Sequence, residues 1–125
     1  MSHAPDGYHT IIPYLIVPNT ASFIVFMKNV FGAELINQHM RDETIIMHAE
    51  VKVGDTIIMF ADSTPQYAPM ASPFFIYVEN ADATYQLAMQ HGATVVTEMG
   101  DQSYGRSGGV TDPFGNTWWI TSVQK

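Results

Sequence analysis

Two short stretches of this chain carry side chains able to do chemistry. The first is His48-Ala49-Glu50. Residues i and i+2 of a strand share a face, so this imidazole and carboxylate can work as an acid–base pair or as two ligands of a displaced metal site. The second is "YGRSGGVTDPFGNTWWI", Tyr104–Ile120. Its Arg106 can clamp a carboxylate or phosphate through two parallel hydrogen bonds, or it can pair with Asp101 or Asp112 and pin the loop. "GRSGG" lacks the lysine and the spacing of a phosphate-binding loop, and no helical pattern follows it. With no cysteine in the chain, thiolate metal sites, disulfides and a cysteine nucleophile are excluded together, and the H-x-E pattern of zinc deaminases loses its cysteine pair. No serine stands in a G-x-S-x-G elbow. His3, His9, His39 and His91 read as surface histidines.

The elements that must position these residues come in two similar sets. "LIVPNTASFIVFMKNVFGAELI" matches "IYVENADATYQLAMQHGATVV", with Asn19 and Asn80 in the same place, and "VGDTIIMF" matches "FGNTWWIT" at Gly54 and Gly115. Each set starts with an apolar run that predicts a buried strand. Asn19 or Asn80 then supplies an N-cap oxygen for a helix. In the first helix Phe23, Phe26, Met27, Val30 and Phe31 fall on one face. Gly32 and Gly92 suit the left-handed position that ends a helix. Hairpins follow, turning at Gly54-Asp55 and at Pro113-Phe114-Gly115. The pattern is βαβββ twice.

The hairpin register decides where His48 and Glu50 point. If the turn pairs Val53 with Thr56, then His48, Glu50, Lys52, Ile57 and Met59 share one side. Ala49, Val51, Val53, Ile58 and Phe60 share the other. The polar-against-apolar split favours an outer, solvated face for His48 and Glu50.

These two units, with "PYLIVPNTASFIVFMKNVFGAE", "MHAEVKVGDTIIMFAD" and "YGRSGGVTDPFGNTWWI", resemble the vicinal oxygen chelate superfamily, and within it the PhnB-like branch of glyoxalase/bleomycin-resistance proteins. The resemblance implies an α+β fold in which two βαβββ units form curled mixed sheets around a cavity, as one domain over residues 1–125. Unit 1 would span about 10–62, the linker 63–72 and unit 2 about 73–122. It also implies a homodimer. The three-proline linker "STPQYAPMASP" reads as a connector that can also cover a cavity mouth.

Metal-dependent relatives place a ligand near the start of the first strand and one on the last strand of each unit. Carried over, those positions are Ile12, Pro73, Trp119 and Ile58, or Met59 if the register differs by one. Isoleucine, proline and tryptophan offer no lone pair, and a thioether is a poor ligand for a hard cation. No metal and no cofactor are therefore expected. The resemblance turns Ile12, Tyr14, Phe75, Tyr77, Trp119 and Thr121 toward the cavity, with Tyr104 and Arg106 at its rim, while Trp118 packs under a helix. The expected function is metal-free binding of a small organic ligand by Tyr14, Phe75, Tyr77, Tyr104, Arg106 and Trp119. The alternative is a metal-dependent lyase or dioxygenase using a displaced site at His48 and Glu50.

Composition agrees. At 125 residues, 46% hydrophobic and 14% charged, the chain suits one folded domain. A formal charge of −7 with five Lys and Arg in all cannot build a basic patch, which excludes nucleic acid as an expected partner and favours cationic or neutral ligands. The start "MSHAPDGYHT" lacks a signal-peptide pattern, and no run is long enough to span a membrane. A cytoplasmic location is the expectation.

Overall fold

The computed structural model describes residues 3–123; Met1, Ser2, Gln124 and Lys125 lie outside the described residues. The chain divides at Met70–Ala71 into two compact units, with Asn29–Phe31 alone grouped out of order. The first unit carries β1 (Tyr14–Val17), α1 (Thr20–Phe31), β2 (Glu34–Met40), β3 (Ile46–Val53) and β4 (Thr56–Asp62). The second carries β5 (Pro73–Tyr77), α2 (Ala81–Gln90), β6 (Thr94–Gln102), β7 (Gly105–Thr111) and β8 (Thr117–Ser122). The sheets have matching orders, β1-β4-β3-β2 and β5-β8-β7-β6. In each, the first strand runs parallel to the last and the other pairs are antiparallel. The α+β reading and the doubled βαβββ order are both present.

Each helix starts where the sequence places it. The Asn19 side chain accepts from Ser22 N at 3.1 Å, and the Asn80 side chain accepts from Ala83 N at 3.1 Å. Both satisfy amides that the first turn leaves without a helical partner. At the other end Gly32 and Gly92 adopt φ of 67° and 98°, a region that costs glycine nothing. Among the described residues no helix is long and apolar enough to cross a membrane.

Every sheet presents one face to its own helix. In the first unit that face holds Leu15, Val17, Ala49, Val51, Ile58 and Phe60, all buried, with Phe23 of α1 edge-on to Phe60 at 4.9 Å. In the second it holds Phe74, Gly108, Val110, Trp118 and Ile120. Trp118 stacks on Phe74 at 4.3 Å, and a Cβ on Gly108 would touch Tyr85 of α2. Trp118 is core under a helix, as expected. The linker is not bare coil: Met70 exchanges two backbone hydrogen bonds with Ile16, after a turn in which Thr64 and Tyr67 bond to each other.

Candidate functional site

The register of the first unit settles the question the sequence left open. Val53 pairs with Thr56, so Val51 faces with Ile58 and Glu50 with Met59. Ile58 lies beneath α1. The last-strand position matching Trp119 is therefore Met59: Tyr14 pairs with Met59 as Phe75 pairs with Trp119. This corrects the placement at Ile58. It also corrects the expectation of an outer, solvated face for His48 and Glu50, which share the helix-free face with Tyr14 and Met59. Partners across a ladder share a face, so Tyr14, Met59, Glu50 and Asn37 form one row.

Glu50 is the centre of this face and is only 7% exposed. Tyr8 donates its hydroxyl to Oε1 at 2.5 Å, and Asn37 Nδ2 donates to the same oxygen at 3.4 Å. His48 Nε2 meets Oε2 at 2.8 Å. Burial pushes the carboxyl pKa up, but the hydrogen bonds from Tyr8, His48 and Asn37, with the His48 charge, outweigh it and hold the group below its ordinary range. The same contact, first of all through its hydrogen bond to Glu50, raises the Tyr8 phenol. Tyr8 reaches the site because Pro5-Asp6-Gly7 turns the chain, with Tyr8 N bonded to Pro5 O at 3.0 Å. Sequence reasoning missed Tyr8; the "PDG" turn before a tyrosine was the available signal. Tyr14 lies beside the imidazole, ring to ring at 5.8 Å, and His39 lies at 6.2 Å on the other side. An ionised carboxylate bonded to an imidazole next to exposed aromatic rings can accept a proton or a cationic group.

The second unit has the same layout with different chemistry. Phe75, Trp119 and Gly109 form the row equivalent to Tyr14, Met59 and Glu50. Gly109 stands where Glu50 stands, and the Trp119 ring lies over it: a Cβ there would sit 2.3 Å from the ring. Phe75, Tyr77 and Tyr104 are all at least half exposed, with centroids 5.3 and 5.9 Å apart from Phe75. Thr121 faces the same way but is buried, bonded to Ser107 at 2.8 Å.

Arg106 belongs to a different arrangement. Its Nε and Nη2 grip Asp82 at 2.7 and 3.0 Å, and Nη1 reaches Asp101 at 3.2 Å. Hydrogen bonds to Asp82 and then Asp101 raise its pKa well beyond the ordinary arginine value. The fork expected to hold a ligand is occupied by this chain's own carboxylates. Asp112, the other partner considered, serves the turn instead. Its carboxylate accepts from Phe114 N, Asn116 N, Asn116 Nδ2 and Trp118 Nε1 at 2.8 to 3.0 Å. "DPFGNTW" is thus a turn folded around one buried carboxylate.

The residues present do not fit the chelated ion of metal-dependent relatives. Ile12 precedes β1, Pro73 opens β5, and Met59 and Trp119 hold the last-strand positions. Among the described residues no group of three or more His, Cys, Asp or Glu is arranged to hold a metal.

A sequence model of the Glyoxalase/Bleomycin resistance protein/Dioxygenase superfamily matches residues 8–120. The chain belongs to that superfamily. It is 34% identical over 118 residues to an uncharacterized protein of Mycobacterium tuberculosis, covering 85% of this chain and 69% of that one. Among solved structures its fold matches TioX from Micromonospora sp. ML1 (TM-score 0.76, 21% identity, 91% and 98% of the two chains). It matches a PhnB protein from Bacillus cereus at 0.73, with 17% identity over 92% and 100%. It also matches the bleomycin-binding protein of Streptomyces verticillus, complexed with copper(II)-bleomycin, at 0.57, with 22% identity over 91% and 95%.

Proposed function

We propose that this chain binds a small organic molecule on the helix-free faces of its sheets, without a chelated metal ion and without chemistry. One observation carries the reading. The two in-register positions from which relatives would offer last-strand ligands are a thioether and an indole, Met59 and Trp119, and each pairs with one exposed aromatic ring, Tyr14 or Phe75. Flat rings bury area at little entropic cost, and a site of this composition selects flat, largely apolar ligands. The net charge of −7 and the ionised Glu50 favour a cationic or neutral ligand. The fold shared with the bleomycin-binding protein supports sequestration as a role this scaffold can serve. The reading extends to a cytoplasmic homodimer.

Thermal melting tests it. Zn²⁺, Ni²⁺, Mn²⁺ and Fe²⁺ should each leave Tm unchanged, whereas a ligand of the native state raises it. Acridine orange, a flat cationic ring system, should quench tryptophan fluorescence in the wild type and much less in Trp119→Leu. One tightly held metal atom per chain in the purified protein, or equal quenching in the variant, would overturn the proposal.

A second reading is favoured by one observation, the buried Glu50 bonded to His48 beside Tyr14. It makes the pair the acid and base, or two ligands, of a displaced enzyme site. It requires His48→Ala to abolish a turnover or a metal-dependent thermal shift; a variant indistinguishable from wild type in both sinks it.

A further inference from the structure

We infer that the first unit holds a second binding site, which borders the Glu50 row at Tyr14 and takes small aromatic carboxylates through Arg41. A cavity of about 420 Å³ opens between the end of β1, the loop from Arg41 to Ile45 and the Thr64–Tyr67 turn. That volume lies within the usual range of small-molecule pockets. Its walls are mainly Tyr14, Ile16, Ile45, Met47 and Tyr67, apolar or aromatic. Such walls select a hydrocarbon or aromatic body.

The charges select the head group. Asp62 also lines the cavity, and backbone bonds direct its carboxylate to the start of α1 and of β3: Oδ1 accepts from Thr20 N at 2.7 Å and Oδ2 from Ile46 N at 2.8 Å. Asp42, next to Arg41 in the chain, binds its own turn, accepting from Thr44 N and Ile45 N at 2.8 Å and from the Thr44 hydroxyl at 3.0 Å. Those backbone bonds are the main reason its carboxyl is held low, and the Arg41 charge is the least of the causes. Among the described residues the Arg41 guanidinium makes no hydrogen bond and no salt bridge of its own, in contrast to Arg106. A guanidinium with an open fork in the lining of a largely apolar cavity matches a planar carboxylate on a flat body. The loop that carries it is already ordered, since Arg41 N bonds to Ile45 O at 2.8 Å. Little ordering entropy then remains to oppose binding.

The test is calorimetric titration with cinnamate, and with cinnamamide and cinnamylamine as neutral and cationic counterparts. Cinnamate should bind most tightly, and Arg41→Met should weaken it by roughly tenfold or more, the usual loss of a charged hydrogen-bonded pair. The amide should bind weakly and equally to both proteins. Arg41 is exposed and unbonded, so its variant should fold. As an independent readout, the Met47 methyl resonance should shift on adding cinnamate and not on adding acridine orange. Equal affinity for acid and amide, unchanged binding by the variant, or a silent Met47 methyl would each overturn the inference. None of these results bears on Trp119, on which the acridine orange test turns, so failure here and failure of the proposed function are told apart.

Discussion

Replacing Gly109 with alanine tests the packing of Trp119 on the helix-free face of the second unit. The added Cβ would fall 2.3 Å from Trp119 Cζ3, 2.6 Å from Cε3 and 3.2 Å from Cη2. Real Cβ atoms do not approach carbons so closely, so the indole must leave its seat. Overpacking of this kind costs about 1–3 kcal/mol. Against it stands a gain of about 0.4–1 kcal/mol, because alanine restricts the unfolded chain more than glycine does. Gly109 has no left-handed φ, so alanine meets no backbone strain there. The net expectation is a loss of about 1–2 kcal/mol. In urea this lowers the midpoint by roughly 0.5–1 M. The decisive comparison repeats the substitution in a Trp119→Ala background. With no ring to displace, Gly109→Ala should become neutral or slightly stabilising, giving a coupling energy of about 2 kcal/mol between the two positions. Unfolding should be followed by far-UV circular dichroism, since removing an indole changes the fluorescence signal. A Gly109→Ala cost that persists in the Trp119→Ala protein would refute the reasoning, because the cost would then lie in the backbone.

Other outcomes follow from single contacts. Glu50 has a depressed folded-state pKa, so it contributes stability that is present above its unfolded value and lost as pH falls through the folded one. The stability difference between wild type and Glu50→Gln, measured by urea melts, should therefore shrink as pH drops below the ordinary glutamate range; a difference independent of pH contradicts this. Asp112→Ala strands four donors in and around the "DPFG" turn, and should cost on the order of 4 kcal/mol, with loss of the near-UV signal of the buried Trp118. Arg106→Gln removes an exposed ion-pair cluster, and exposed pairs contribute little to global stability. Its melting should stay near wild type, while amide exchange in the β6–β7 hairpin quickens; a collapse of Tm would mean the cluster holds more than the hairpin.

Much of the fold was legible because its signals are local. Asn19, Asn80, Gly32 and Gly92 are caps that act on their own turns, and the Gly54-Asp55 turn fixes the pairing of Val53 with Thr56. The facing of His48 and Glu50 was harder. A strand pattern gives two faces but does not say which one the helix covers, and a one-residue change in the assumed cavity position exchanges them. Polar residues looked like an outer surface because the helix-free face is not core; it is a partly buried wall where a carboxylate survives through Tyr8, His48 and Asn37. Tyr8 and Arg41 gave weaker signals for another reason. Both come from irregular chain whose path depends on turns at Gly7 and Asp42, and neither obeys a period.

The two units show how one backbone plan supports unequal chemistry. The rows Tyr14–Met59–Glu50 and Phe75–Trp119–Gly109 occupy the same register, so each difference between them is a difference of side chains alone. Glu50 needs a slender neighbour, and Met59 leaves room for its hydrogen bonds from Tyr8 and His48. Trp119 needs no side chain beneath it, and Gly109 provides none. Each large or charged group is thus matched by a small or pliant one on the adjoining strand. Exchanging a single member of either pair leaves a carboxylate under an indole or an unfilled space over a glycine. The members of each pair suit one another in size, and so one unit offers a charged row and the other an aromatic one.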